Sequence, residues 1–201
     1  MKTLYLASAS PRRREILQRM QLAHTVYTAP ADETLGEGIT MENAGEILAA
    51  RKALAAKQAL LAEGKFDEDT MILAADTRVY LDGKPLGKPK DAEDAKRMLT
   101  ALSGRTHFVC TGTCLVCGKR SISAADVSAV TMRDFSEREA DAYIATGEPL
   151  DKAGAYGIQG IGSVLIEGIE GDFFSIMGLS PRTVCRLMDA LGVDYFDLQR
   201  P

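Results

Sequence analysis

The chain has 201 residues, of which 46% are hydrophobic and 26% charged, so it can bury a substantial core and has the composition of a soluble globular protein. Its 24 basic and 28 acidic residues give a formal net charge of −4, which argues against a general DNA-binding or membrane-surface protein. The sequence contains no apolar run approaching the ~18 residues of a membrane span and no secretory signal pattern at its N-terminus. We therefore expect one domain, residues 1–201, in the cytoplasm.

The first notable stretch is an apolar segment from Leu4 that breaks at Ser8-Ala9-Ser10. It predicts a short strand followed by a helix over about 11–20, with Ser10 at the N-cap and Pro11 in the first turn. Three arginines, 12–14, follow at once. A helix N-terminus already carries free N–H groups and partial positive charge. Additional cations there indicate an anion-binding site.

A second predicted strand, 24–28, leads into an acidic loop with Asp32 and Glu33. These carboxylates are either metal ligands or ordinary solvated loop residues. Thr40 then begins a long helix to about residue 63. Apolar residues at helical spacing predict its buried stripe: Ile47, Leu48, Leu54, Ala55 and Leu61. Lys52 lies beside this stripe and is either a functional cation or a lysine whose charged end reaches water past a buried stem.

Residues 71–75 form a continuous apolar run, which is typical of a central strand covered on both faces, and the run ends in Asp76-Thr77. An unpaired buried carboxylate is costly, so such an acid usually binds a cation, accepts several hydrogen bonds or performs chemistry. The alternative is a capping or turn aspartate. Two Lys-Pro pairs, at 84–85 and 88–89, favour an extended chain, so we expect a conformationally restricted backbone at Lys88.

The rest of the chain alternates between helical and strand patterns. The predicted elements are helices over 92–102, 136–146 and 181–191 and strands over 106–117, 122–133, 163–167 and 173–176. Between them, residues 151–162 contain four glycines but match neither the P-loop nor the dinucleotide-binding pattern. We expect this segment to approach a ligand closely.

Histidine chemistry is a poor candidate for this chain, since His24 and His107 both lie in predicted strands. Carboxylates and cations remain. Asp76 and Glu33 offer hard oxygen ligands for Mg²⁺ or Mn²⁺, while Arg13, Lys52 and Lys88 could surround a polyphosphate. Such a set fits phosphoryl or nucleotidyl chemistry, in which catalysis is mostly positioning and charge neutralisation.

Cysteines at 110, 114 and 117 have the C-x3-C-x2-C spacing with which radical S-adenosylmethionine enzymes bind an iron–sulfur cluster. Those enzymes carry the three cysteines on a loop, whereas here they lie in a predicted strand. The pattern therefore favours small buried thiols over a cluster.

Seven motifs in register resemble the Maf family of nucleoside triphosphate pyrophosphatases, over residues 4 to about 191. In chain order they are Ser8-Ala9-Ser10-Pro11-Arg12-Arg13, Asp32-Glu33, Arg51-Lys52-Ala53, Ala75-Asp76-Thr77, Leu86-Gly87-Lys88-Pro89, Leu102-Ser103-Gly104-Arg105 and Asp151-Lys152-Ala153-Gly154-Ala155-Tyr156-Gly157-Ile158-Gln159-Gly160. The resemblance implies an elongated α/β fold like that of the inosine triphosphate pyrophosphatases, with a mixed central sheet flanked by helices and a nucleotide cleft. It also implies a divalent metal, a homodimer, and hydrolysis between the α and β phosphates of the substrate.

The resemblance assigns roles to individual positions. Asp76 matches the family's catalytic acid, which either binds the metal or activates the attacking water. Glu33 matches a second acidic, metal-binding position. The phosphate-binding and charge-stabilising positions of the family are matched by Ser8, Arg13, Lys52 and Lys88.

Three further positions distinguish two branches of the family. Arg12, Thr77 and Gln159 match the branch that prefers dTTP and UTP rather than 7-methyl-GTP. Thr77 and Gln159 can each donate and accept hydrogen bonds, which suits the edge of a pyrimidine base. The alternatives are the same reaction on a purine triphosphate, or a nucleotide- or nucleic-acid-binding regulator of cell division. The negative net charge and 6% aromatic content weigh against extended nucleic-acid binding.

Overall fold

The computed structural model describes residues 2–199, whose contacts divide the chain into two compact units. Unit 1 contains residues 2–77, 111–126 and 178–199. Unit 2 contains residues 78–110 and 127–177. The expectation of one domain over residues 1–201 stays a prediction.

A mixed, open sheet of seven strands forms the scaffold, with the order β2-β1-β3-β5-β6-β7 and with β4 paired to β3. The strands are β1 (Thr3–Leu6), β2 (Thr25–Val26), β3 (Thr70–Leu81), β4 (Lys84–Leu86), β5 (Thr106–Cys117), β6 (Arg120–Met132) and β7 (Ile166–Glu170). β1 runs parallel to β2 and β3, whereas β4 is antiparallel to β3 and β7 is antiparallel to β6. The mixed α/β class expected from the sequence is confirmed.

Six α-helices accompany the sheet within residues 2–199: α1 (Pro11–Arg19), α2 (Met41–Ala62), α3 (Ala92–Leu102), α4 (Glu137–Ile144), α5 (Phe173–Met177) and α6 (Pro181–Ala190). Polar side chains at four N-caps each accept a hydrogen bond from a backbone N–H of the first turn: Thr40, Asp91, Ser136 and Ser180. None of the described helices is long and apolar enough to cross a bilayer.

Helix α1 differs from the prediction at its start. Ser10 occupies the N-cap but its side chain makes no capping bond. Instead, its backbone N–H donates to the hydroxyl of Ser8 at 3.2 Å. The turn before the helix is therefore closed by Ser8, which lies two residues earlier.

Helix α2 buries mostly small residues, together with Leu48 and Leu60. Leu48 of the predicted stripe is fully buried, but Leu54 and Leu61 are 53% and 52% exposed. The buried face of the helix instead consists of Ala44, Gly45, Leu48, Ala49, Ala53, Ala56 and Leu60. Small side chains permit close packing: a Cβ added at Gly112 of β5 would lie 2.0 Å from the carbonyl carbon of Gly45.

Two other boundaries depart from the sequence prediction. The strand that contains the predicted run 71–75, β3, continues through Asp76 to Leu81, so the acid lies within a strand. Residues 173–176 belong to helix α5 rather than to a strand, because the Asp172 carboxylate accepts the backbone N–H of Phe174 at 2.8 Å and begins a helical turn. The preceding strand, β7, starts three residues later than predicted.

Candidate functional site

Two carboxylates converge on one ammonium group in unit 1. Lys52 Nζ lies 2.6 Å from Asp76 Oδ1 and 2.9 Å from Glu33 Oε1. The Asp76 side chain is only 10% exposed and that of Glu33 58%. Strand β3 buries the first acid, helix α2 presents the lysine and the acidic loop supplies the second acid. A hydrogen-bonded cation offsets the cost of burying the Asp76 carboxylate.

Arg13 connects the start of α1 to three other segments of unit 1. Its Nη1 donates to Ser8 Oγ at 2.9 Å, its Nη2 to Thr77 Oγ1 at 3.0 Å and its Nε to the Gly178 carbonyl at 2.8 Å. Thr77 Oγ1 also shares a 2.8 Å hydrogen bond with Thr111 Oγ1. The guanidinium group is therefore fixed in one orientation.

The charge of Arg13 is held in a desolvated position. Burial lowers the pKa of Arg13 to about 10. The negative charge of Asp76 acts in the opposite direction, and the positive charge of Arg12 lowers the pKa further. The guanidinium is still protonated at neutral pH. Arg12 is half-buried and Arg14 is exposed, so the three arginines have different environments.

A small cavity adjoins these groups in unit 1 and has a volume of about 160 Å³. Its lining residues are Ala7, Ser8, Ala9, Arg13, Thr28, Ala29, Ala31 and Lys52. Two cations and two hydroxyl-bearing side chains, Ser8 and Thr28, thus line a space otherwise bounded by alanines. Ser8 Oγ already accepts hydrogen bonds from Arg13 and from the Ser10 backbone, and a hydroxyl that accepts two bonds keeps its proton for donation. The cavity is suited to an anion.

Sequence reasoning missed Arg51, which holds the acidic loop. Its guanidinium donates to the carbonyls of Asp32 and Thr34, on either side of Glu33, and forms a 3.6 Å ion pair with Asp32 Oδ2. The backbone that carries Glu33 is thereby tied to α2, one residue before Lys52. The adjacent Arg51-Lys52 pair in the recognised motif was the available indication.

Thr111 was also missed. It is fully buried on β5 and supplies the hydroxyl that pairs with Thr77. A threonine within a run of apolar strand residues looks like strand propensity alone. Only the hydrogen bond to Thr77 on the neighbouring strand distinguishes Thr111 from an ordinary strand residue.

Lys88 and Gln159 belong to unit 2, and both are exposed. Lys88 follows β4, where the Gly87 carbonyl accepts the Gly154 backbone N–H at 3.0 Å. Buried Pro89 comes directly after it. The backbone at Lys88 is therefore restrained by the hydrogen bond of Gly87 before it and by buried Pro89 after it.

The carboxylates of unit 1 fit a divalent cation. Mg²⁺ and Mn²⁺ prefer hard oxygen ligands, and Mg²⁺ is usually held by one or two carboxylates together with substrate phosphates. Asp76 and Glu33 supply two such carboxylates around one ammonium. Within residues 2–199, no group of three or more Asp, Glu, His and Cys side chains could hold an ion by itself.

The overall structure is similar to that of the Staphylococcus aureus Ham1 protein, with a TM-score of 0.51 and 16% identity, covering 99% of this chain and 100% of that one. Fold and site together define an α/β protein of the Ham1 fold with a buried acid–lysine pair beside a cationic cavity. The Maf-like protein family matches residues 3–191. The chain belongs to this family.

Several relatives are similar over almost their whole length. A dTTP/UTP pyrophosphatase of Moorella thermoacetica is 45% identical over 198 residues, which cover 98% of each chain. One from Pyrococcus furiosus is 44% identical over 94% of this chain and 95% of its own. One from Bacillus cytotoxicus is 42% identical over 89% of this chain and 90% of its own.

Proposed function

We propose that this chain is a nucleoside triphosphate pyrophosphatase that hydrolyses dTTP and UTP between the α and β phosphates, releasing the nucleoside monophosphate and pyrophosphate. The observation that carries the proposal is the Lys52 ammonium between Asp76 and Glu33, beside a cavity lined by Ser8 and Arg13. The names of the relatives support the same reaction and the same bases.

The cations of unit 1 would bind the phosphates. Arg13 is held by three hydrogen bonds to the protein, so its charge is already in place before substrate binds. A pre-oriented cation stabilises developing phosphate charge without reorganisation. Ser8 donates its hydroxyl proton to a phosphate oxygen, and Lys52 balances the charge of the two carboxylates. Lys88 keeps its proposed role as a further phosphate cation on the family pattern alone.

Asp76 is the proposed catalytic acid. Its carboxylate would either hold the metal or take the proton of the attacking water. We propose Mg²⁺ or Mn²⁺ as the cofactor, held by Asp76 and Glu33. When bound, such an ion neutralises charge on the phosphate oxygens. Arg51 keeps the Glu33 loop in place for this purpose.

The decisive experiment is a panel of nucleoside triphosphates assayed with Mg²⁺ and with Mn²⁺, scored for pyrophosphate against orthophosphate. We expect pyrophosphate from dTTP and UTP and much less from purine triphosphates. Release of orthophosphate would mean that a different bond is broken. Preference for a purine triphosphate would be consistent with the proposed reaction but would overturn the assignment of the base. Tight DNA binding with no pyrophosphate from any nucleotide would favour the regulator instead.

Base selection provides a first mutational test. A site that hydrogen-bonds its substrate strongly disfavours analogues that leave buried groups unpaired. Gln159→Glu should therefore change the ratio of dTTP to GTP hydrolysis more than it changes stability. Thr77→Gln should also change the ratio, and because it removes the hydroxyl that holds Arg13 it should lower hydrolysis of both nucleotides as well. Gln18→Glu, at an exposed position of α1, makes the same chemical change as Gln159→Glu and should leave the ratio unaltered. If both site variants keep the wild-type ratio, the base is read by other residues.

We also propose a cytoplasmic location and a homodimer. The location follows from the substrate, because nucleoside triphosphates are made and consumed there. The dimer rests on the family pattern, and sedimentation of the full chain would test it.

A further inference from the structure

The glycine-rich segment 157–162 is held by two side chains of unit 2. The Glu148 carboxylate accepts the backbone N–H of Ile161 at 2.8 Å through Oε2 and that of Gly162 at 3.0 Å through Oε1. The Tyr143 hydroxyl donates to Glu148 Oε1 at 2.9 Å and accepts the backbone N–H of Gly157 at 3.0 Å. Both ends of the segment are thus bound to one hydrogen-bonded pair, which we call the Glu148–Tyr143 clasp.

The clasp explains why glycines occur at these positions. A Cβ added at Gly160 would lie 2.2 Å from Glu148 Oε2, and one at Gly162 would lie 2.4 Å from the Tyr143 hydroxyl oxygen. At Gly157 a Cβ would lie 3.0 Å from Glu148 Oε1. Real Cβ contacts are longer than the first two distances, so a side chain would force the clasp apart. The close approach is to the protein's own carboxylate and hydroxyl.

The clasp also occupies backbone groups that a phosphate would use. Glycine-rich loops bind phosphate through free backbone N–H groups, but those of Gly157, Ile161 and Gly162 already donate to Tyr143 and Glu148. Burial alone would raise the pKa of Glu148, yet its backbone and tyrosine donors and the charge of Lys152 together hold it below the usual range. Glu148 is therefore the resident anion of this segment.

Gln159 lies between the clasped positions. Gly157 is bound two residues before it and Ile161 two residues after it, while Gln159 itself is exposed. A backbone fixed on both sides restricts where an exposed side chain can reach. We propose that Glu148 and Tyr143 are positioning residues that fix Gln159 for selection of the pyrimidine base. This inference rests on the proposed function, in which Gln159 contacts the base.

The test compares kcat and KM for dTTP, UTP and GTP in Glu148→Ala, Tyr143→Phe and Gln159→Ala. Loss of a supporting hydrogen-bond partner commonly reduces function by roughly 10- to 100-fold. We expect the dTTP:GTP ratio of kcat/KM to fall roughly tenfold in Glu148→Ala, chiefly through a higher KM for dTTP. Because Glu148 acts through Gln159, the double variant Glu148→Ala/Gln159→Ala should show no further fall beyond the larger single effect.

Two measurements separate positioning from general destabilisation. Ser128→Ala removes hydrogen bonds to Ser175 and Asp172 elsewhere in unit 2 and should leave the ratio unchanged. Hydrogen exchange should accelerate at the amides of Gly157, Ile161 and Gly162 in Glu148→Ala. If Glu148→Ala does not fold, the milder Tyr143→Phe provides the test. We expect it to show faster hydrogen exchange at Gly157 and a smaller fall in the dTTP:GTP ratio.

The inference would be overturned if the folded Glu148→Ala and Tyr143→Phe proteins kept the wild-type dTTP:GTP ratio. It would also be overturned if the effects of Glu148→Ala and Gln159→Ala on this ratio multiplied in the double variant. Unchanged exchange over residues 157–162 would also overturn it, whatever the enzyme hydrolyses. A wild-type protein inactive on dTTP and UTP would instead overturn the proposed function, and with it the role of the clasp in base selection.

Discussion

Asp76 lies inside a buried strand, where a carboxylate requires compensation. Lys52 supplies it at 2.6 Å and is itself shared with Glu33. Structural ion pairs also occur in protein interiors, so the pairing with Lys52 does not by itself make Asp76 catalytic. Substitution of Asp76 distinguishes a structural ion pair from a catalytic acid.

Asp76→Asn should reduce dTTP hydrolysis by about 10²- to 10³-fold, the usual effect of removing one transition-state contact, and should keep the fold. Steady-state kinetics and circular dichroism check this. Asp126→Asn is a matched control, because Asp126 is also buried in unit 1 and is paired with Arg182, but has no proposed role. A folded Asp76→Asn enzyme with near-normal turnover would show that the catalytic acid is another residue.

His107 makes the stability of the protein depend on pH. It is fully buried, its Nε2 lies 2.7 Å from the Tyr156 hydroxyl, and burial lowers its pKa to about 4. The unfolded chain binds a proton near pH 6.5, whereas the native state stays neutral until about pH 4. The contribution to stability is therefore complete above about pH 6.5 and is lost as the pH falls towards 4.

We expect the free energy of unfolding to fall by about 3 kcal/mol between pH 6.5 and 4 through this group alone. Urea unfolding across this range gives the slope of the unfolding free energy against pH for wild type and for His107→Gln. The difference between the two slopes is the contribution of His107. Tyr156→Phe should retain the wild-type slope, because desolvation rather than the hydroxyl lowers the pKa. Equal slopes in wild type and His107→Gln would contradict the prediction.

At the scale of elements, the contact between α2 and β5 decides where Lys52 lies. The helix approaches the strand through Gly45 and Gly112, with Ala49, Ala53 and Ala56 fully buried along the same helix. Such a contact leaves no room for added atoms. The lysine at the edge of this face reaches Asp76 because its helix packs so close to the sheet.

Gly112→Ala should therefore destabilise the protein by about 3 kcal/mol or more, since overpacking a tight contact commonly costs 1–3 kcal/mol and here the new Cβ meets backbone at 2.0 Å. Urea unfolding measures the loss. Gly168→Ala in β7 is the control, because a Cβ there meets nothing within 4 Å. A Gly112→Ala protein as stable as wild type would mean that α2 and β5 are not closely packed.

For the molecule as a whole, the net charge of −4 coexists with a local cationic cavity lined by Arg13 and Lys52. An anionic ligand can therefore bind by local charge in an acidic protein. The two carboxylates next to Lys52 repel phosphates unless their charge is neutralised, so the proposed metal would strengthen this binding.

A non-hydrolysable dTTP analogue with Mg²⁺, at 100 times its dissociation constant, should stabilise the protein by about 2.7 kcal/mol. For a chain of this length that corresponds to a rise in Tm of roughly 5–10 °C. The rise should largely disappear when EDTA replaces Mg²⁺. The matching ATP analogue at the same concentration serves as the control for the base. An equal rise in EDTA would contradict the proposed metal.

Most local structure was predictable from the sequence alone. Thr40, Asp91, Ser136 and Ser180 cap helices that the sequence predicts, and each bond joins residues only three apart along the chain. The exception is Ser10, which makes no capping bond. The buried run 71–75 likewise indicates a central strand by its composition. The family motifs identified the candidate residues, although they did not show which of them are in contact.

Tertiary structure decided the contacts between distant residues. Arg13 meets the carbonyl of Gly178, 165 positions later, and Lys52 meets Asp76 only because small residues bring α2 close to the sheet. The prediction of the face that α2 buries was right for Leu48 and wrong for Leu54 and Leu61. Hydrophobicity favours large side chains, whereas close packing to the sheet selected mostly alanine and glycine. The expectation that the glycine-rich segment approaches a ligand closely stays a prediction. Within the protein, Gly160 and Gly162 leave room for the Glu148–Tyr143 clasp, because only the folded chain shows which atoms occupy the space a Cβ would need.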